Sequence, residues 1–190
     1  MPNHVTNKIE FYGEKQNIEK VLNIINGEDS CIDFEKIIPM PENIFRGNLG
    51  QTEREKYGKD NWYDWSIGNW GTKWNAYSSY IDKETNTIIF DTAWSAPIPI
   101  FDALAKLCYE YKVSFSGKWA DEDMGHNIGV FESDCESDEY WFSYEHLDDC
   151  SNEAYEVYVE LNGETHCLGK DNHGNWFAHN CDNCPYADEC

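Results

Sequence analysis

The sequence predicts an α+β domain: an antiparallel sheet carrying two helices on one face. Three observations carry that expectation. Apolar side chains alternate with a period of two in several short stretches. Two other stretches repeat apolar residues with helical spacing. Along residues 1–132 these occur in the order β-α-β, an insertion, then β-β-α-β-β.

The elements follow in chain order. HVTNKIEFY (4–12) puts Val5, Ile9 and Phe11 on one side of an extended chain that ends at Gly13. KQNIEKVLNIING then sets Ile18, Val21, Leu22 and Ile25 at i, i+3, i+4, i+7, with Gly27 where a helix C-terminal cap belongs. IDFEKII (32–38) alternates and stops at Pro39, which predicts a second strand. Residues 40–75 are polar and tryptophan-rich and read as an insertion. Residues 76–81 and 87–94 flank DKETN as a hairpin. PIPIFDALAKLCYEY spaces Phe101, Leu104, Ala105 and Cys108 for a helix, its prolines confined to the start. Val113 to Trp119 and NIGVFE (127–132) form a further pair of strands across DEDMGH. This is the split βαβ, ferredoxin-like plan, a topology that implies no iron–sulfur cluster.

Residues 133–190 form an acidic, cysteine-bearing C-terminal extension, expected to pack on the first domain. YWFSYE is strand-like. SNEAYEVYVELNG fits a helix through Ala154, Val157, Tyr158 and Leu161, or a strand through Tyr155, Val157, Val159 and Leu161. Ser151 and Gly163 are placed as helix caps, while the two valines favour the strand, so both readings stay open.

The charge is unevenly placed. Residues 1–59 carry ten Asp/Glu and eight Lys/Arg, and residues 60–118 carry seven and five; residues 119–190 carry nineteen and one, Lys170. Nearly all of the net −22 therefore lies in the last stretch, which repels nucleic acid and anionic membranes and attracts basic surfaces. MPNHVTNKIEF has neither a basic nor an apolar leader region, and no apolar run approaches the ~20 residues of a membrane span. A cytoplasmic location is expected, where the eight cysteines serve as thiols or metal ligands rather than disulfides.

Four segments carry a family resemblance. MPNHVTNKIEFYGE, NWGTKWNA (69–76), FDTAWSAP (90–97) and GKWADEDMGHNIG (117–129) resemble, in the same order, the YubB-like proteins, a ferredoxin-like family of phages, prophages and plasmids. The resemblance implies the fold and a mobile-element origin, hence a bacterial host cell. It implies no catalytic residue.

Candidate chemistry is sparse. Cys167, Cys181, Cys184 and Cys190 include a CxxC pair and suit a structural zinc set, with His166, His173 and His179 nearby. Free thiols on a frayed tail or an adventitious disulfide, with Cys167 buried as a small apolar residue, are the equal alternative, and an iron–sulfur cluster is disfavoured because the flanking sequence is wrong. Asp121, Glu122, Asp123 and His126 could hold Mg²⁺ or Mn²⁺, but read more simply as a solvated hairpin turn. Cys108 reads as core, and His4 and His146 have no evident partner in sequence. No Walker, Rossmann or G-x-S-x-G motif occurs.

NWYDWSIGNWGTKWN (61–75) offers two readings. The spacings 62/65 and 70/74 suit short helical pieces that press indoles onto an open sheet face. Alternatively Trp70 and Trp74 stack a nucleotide whose polar edge Asn69, Asn75 and Lys73 satisfy. The expectation is a non-enzymatic binding protein acting on a host protein with a basic surface, touching neither nucleic acid nor membrane. Its alternatives are an acidic nucleic-acid mimic that blocks a host nucleic-acid-binding defence protein, and a small-molecule or nucleotide binder.

Overall fold

The computed structural model describes residues 2–178. Its strands are β1 (His4–Gly13), β2 (Tyr77–Asp82), β3 (Thr87–Ala93), β4 (Val113–Asp121), β5 (Ile128–Asp134) and β6 (Trp141–His146). They form one antiparallel sheet in the order β2-β3-β1-β4-β5-β6. Helices α1 (Lys15–Ile25) and α5 (Ile98–Glu110) cross between strands, so β1-α1-β2-β3-α5-β4 is the ferredoxin-like unit and β5 and β6 extend it.

Alternation decides which side each residue serves. Val5, Ile9 and Phe11 of β1, Phe115 and Trp119 of β4 and Phe131 of β5 meet Ile18, Val21 and Ile25 of α1 and Phe101, Leu104 and Cys108 of α5. Close approach requires glycine at two points in this layer. A Cβ on Gly129 would lie 2.2 Å from the Trp119 ring, and one on Gly117 would lie 2.2 Å from both the Lys8 carbonyl and the Phe131 ring.

The expected strand at 32–38 is instead a four-residue helix, α2 (Phe34–Ile37). Asp33 is the reason: its Oδ1 accepts the Glu35 N–H at 3.0 Å, an N-cap that bends the chain before it can extend. Removing that strand leaves the β-α-β-β-α-β order uninterrupted. The insertion holds α3 (Gln51–Tyr57) and α4 (Trp62–Asn69).

The ambiguous segment is helix α6 (Asn152–Asn162), and Ser151 caps it by accepting the Ala154 N–H at 3.1 Å. It lies on the sheet face opposite α1 and α5, where Ala154, Tyr155, Val157 and Tyr158 pack on Ala120 and Ile128. Glu160 anchors it, accepting from Lys8 at 2.9 Å and Lys118 at 2.6 Å. The acidic extension thus supplies both an edge strand and a cover to the sheet. A short hairpin, β7 (Leu168–Lys170) and β8 (Trp176–Ala178), follows.

Candidate functional site

The indoles of residues 61–75 divide into two groups. Trp70 is 4% exposed; its Nε1–H donates to the Ile38 carbonyl at 2.9 Å, and its edge meets Phe34, which in turn meets Phe90 of β3. Trp62 and Trp65 pack beside it. These three do cover sheet, but on the face that already bears α1 and α5; α6 covers the other. Trp74 behaves differently, at 38% exposed.

Of the five residues read as a ligand set, three serve the structure. Trp70 is core. Asn69 caps its own helix, its Nδ2 donating to the Trp65 carbonyl at 2.8 Å. Asn75 accepts the Phe34 and Ala76 N–H groups and donates to Asp33 at 2.6 Å, so it ties α2 to the chain entering β2. Lys73 and Trp74 remain at the surface. The ammonium of Lys73 sits 4.3 Å from the Trp74 ring centre and 4.7 Å from that of Trp94.

Trp94 completes the patch. It follows β3, is 43% exposed, and has φ 71°, in the left-handed region where a bulky side chain is an outlier. Two hydrogen bonds hold it there: its N–H donates to the Asn3 carbonyl at 2.9 Å, and its carbonyl accepts from Asn127 Nδ2 at 3.1 Å. Strain of this kind costs on the order of 1–3 kcal/mol and persists only where the surroundings enforce it.

The patch extends both ways through further rings and one more cation. Tyr63 meets Trp94 edge-on at 6.5 Å and lies beneath the Arg54 guanidinium at 5.3 Å. On the other side Trp74 meets Tyr77, and Tyr77 meets His4. Burial, then the charges of Asp91 and Glu122, push the Tyr77 hydroxyl up to about 12. It therefore stays protonated, donating to the Thr92 carbonyl at 3.1 Å and accepting from His4 Nδ1 at 2.7 Å. His4, for which the sequence offered no partner, thus has one. The line Arg54–Tyr63–Trp94–Lys73–Trp74–Tyr77–His4 draws on five separate parts of the chain. An open cleft of about 910 Å³, bordered by Tyr12, Tyr109 and Cys135, shares none of these side chains.

The acidic turn after β4 supports this patch. Asp121 is 5% exposed; its carboxylate accepts from Asn3 Nδ2 at 3.0 Å, Asn127 Nδ2 at 2.7 Å and the Asp123 N–H at 3.0 Å. These donors satisfy its oxygens, and two of them, Asn3 and Asn127, are the residues that pin Trp94. Glu122 and Asp123 are exposed. Among the described residues, no group of three or more His, Cys, Asp or Glu is arranged to hold a metal ion. Of the proposed zinc set, Cys167 is buried at 4% exposure and is disulfide-bonded, which corrects the expectation of thiols or metal ligands at this position, whereas Cys31, Cys108, Cys135 and Cys150 are free thiols. Cys181, Cys184, Cys190 and His179 lie outside the described residues. His166 is exposed, and His173 sits in the β7–β8 turn. Cys108 is fully buried on α5, as its helical spacing implied. His146 ends β6, edge-on to Trp119 at 5.1 Å.

Sheet order and connections define a ferredoxin-like α+β domain. Residues 73–164 match the family model described as a ferredoxin-like domain in Api92-like protein. That segment begins at Lys73, includes Trp74 and Trp94 and ends just past α6. No match was found among curated proteins or among solved structures. Among the described residues, no helix is long and apolar enough to cross a membrane.

Proposed function

We propose that this chain is a non-enzymatic binding protein of phage or mobile-element type, with Trp74 and Trp94 as anchors for a bacterial host protein that presents a basic surface. The observation that carries the reading is Trp94, a large aromatic held exposed in a strained conformation beside a second exposed tryptophan. Interface energy concentrates in such aromatic anchors, and rigid ones lose little entropy on binding. The charge of Glu122 reaches Tyr77 at one end of the line, and the balance of −18 over residues 119–190 attracts a basic partner. The nucleotide reading retains only Lys73 and Trp74 of its five residues.

The test is capture from bacterial lysate at low and high salt, using the whole chain, Trp74→Ala/Trp94→Ala, and Tyr80→Ala as a control at a more exposed aromatic residue. A single salt-resistant partner is expected for the parent and for Tyr80→Ala. Its affinity for the double tryptophan variant should fall by about 30-fold or more, the usual loss at an anchor. Partners that all vanish at high salt, or a capture indifferent to both tryptophans, would overturn the proposal. A salt-resistant partner that is a nucleic-acid-binding protein and is competed by DNA would instead favour the mimic.

A further inference from the structure

We propose that Cys150, His126 and Asp149 form a thiol nucleophile with its own positioned base, able to accept an acyl group from a neutral or cationic ester or thioester. The site is separate from the aromatic patch. Cys150 Sγ lies 3.7 Å from His126 Nε2, and His126 Nδ1 lies 3.1 Å from Asp149 Oδ2. Asp149 thereby keeps a proton on Nδ1 and leaves Nε2 to take one from the thiol, the division of roles that nucleophile–base–carboxylate sets share.

Backbone structure fixes the pair. Cys150 has φ 57° and donates its N–H to the Gly125 carbonyl at 2.8 Å, so one bond sets both the thiol and the residue before His126. Gly125 is obligatory here. A Cβ at that position, at φ +84°, would lie 2.9 Å from the Tyr155 ring and 3.2 Å from Cys150 Sγ. Cys150 immediately precedes the Ser151 cap of α6, so the start of the helix fixes its place. All three side chains reach solvent: Cys150 is exposed, and His126 and Asp149 are 46% and 67% exposed.

The surrounding charges select the substrate. The hydrogen bond to Asp149, followed by the charges of Asp149, Asp123 and Asp121, holds the His126 imidazole above its ordinary value; Tyr155 faces the thiol from α6. An anionic acyl donor would be repelled, whereas a neutral or cationic one would not. In the step, the thiol proton passes to Nε2 as the Sγ–carbonyl carbon bond forms. The bond to the leaving oxygen or sulfur then breaks, and the imidazolium returns the proton to it.

The probe is p-nitrophenyl acetate, a neutral ester, read by nitrophenol release and by mass spectrometric location of the acetyl group on the full chain. Cys150 should acetylate in preference to Cys135, and His126→Gln should slow it about 100-fold, the usual worth of a positioned base. Asp149→Asn should move the midpoint of the rising pH–rate profile to lower pH, because the imidazole loses the carboxylate that raises it. Cys150→Ser should abolish the adduct while the circular dichroism spectrum is unchanged. Equal acetylation of Cys135 and Cys150, or an unchanged rate and profile in His126→Gln and Asp149→Asn, would overturn the proposal. The Trp74 and Trp94 variants leave this readout untouched, so the two proposals fail separately.

Discussion

Replacing Asp121 with Asn keeps the shape of the side chain and tests whether its carboxylate organises the patch. Oδ1 accepts from Asn3 and from the Asp123 N–H, and Asn can keep both of those bonds. Oδ2 accepts from Asn127 Nδ2 at 2.7 Å; in the variant an amide N–H₂ would face another. The loss is one hydrogen bond to a charged acceptor, about 1.5–3 kcal/mol, plus a buried donor left without a partner. A central value of about 2 kcal/mol lowers Tm by roughly 4–8 °C for a chain of this size. Because the Asn127 amide also donates to the Trp94 carbonyl, the change should loosen Trp94 and weaken partner capture beyond the stability loss. Thermal melts by circular dichroism, in a cycle with Asn127→Ala, provide the measurement. The two substitutions should be strongly non-additive, with a coupling above about 0.5 kcal/mol. Asn127→Asp in the Asp121→Asn background should recover part of the Tm by restoring a donor–acceptor pair, but not the capture. A Tm within about 1 °C of the parent, or strict additivity, would refute the role given to Asp121.

Three further outcomes are expected. Trp70→Ala should cost about 3–5 kcal/mol as a core truncation, whereas Trp74→Ala should cost under about 1 kcal/mol; denaturant melts that rank them otherwise would reverse their assignments. Burial alone would raise the Glu160 carboxyl, but hydrogen bonds from Lys118 and Lys8 outweigh it and hold the group below its ordinary 4.5. Its contribution is therefore present above about pH 4.5 and lost as pH falls through the lower folded value. Glu160→Gln should cost roughly 0.5–1 kcal/mol at pH 7 after solvent screening, and nothing at strongly acid pH, as measured by melts across pH. Gly129→Ala should cost about 3 kcal/mol or prevent folding, since Trp119 is fully buried and cannot move aside; near-parental urea melts would show that the ring can shift.

What could be read from the sequence was what is encoded locally. Val5, Ile9 and Phe11 announce β1 because burial on one face imposes a period of two, and the spacing of Ile18, Val21 and Ile25 does the same for α1. IDFEKII misleads because the apolar alternation of Ile32 and Phe34 is real, both being buried, yet a single Asp33 cap outweighs it. The 151–162 ambiguity likewise turned on a cap, Ser151, that the valines could not override. The patch was half legible. Lys73 and Trp74 stood out, but Trp94 reads as the end of a buried strand, and its exposure comes from Asn3 and Asn127, distant in sequence. Asp121 looked like a solvated turn residue because one of its donors, Asn3, lies 118 positions away. The proximity of Cys150 to His126, 24 positions apart, depends on how two loops converge at one end of the sheet.

Trp119 gives the fold an optical consequence. Its ring is wholly buried and stacked on Phe131, and among the described residues its Nε1 is one of two buried side-chain atoms without a hydrogen-bond partner. An indole in so dry a setting emits at short wavelength and is shielded from dissolved quenchers, whereas Trp74 and Trp94 emit further to the red and are open to them. With the chain at −22, caesium ions should find the exposed pair more readily than iodide does. Trp70 is likewise buried and Trp141 likewise exposed, so in a Trp141→Phe chain the buried indoles report on unfolding and the exposed Trp74 and Trp94 on the proposed contact surface.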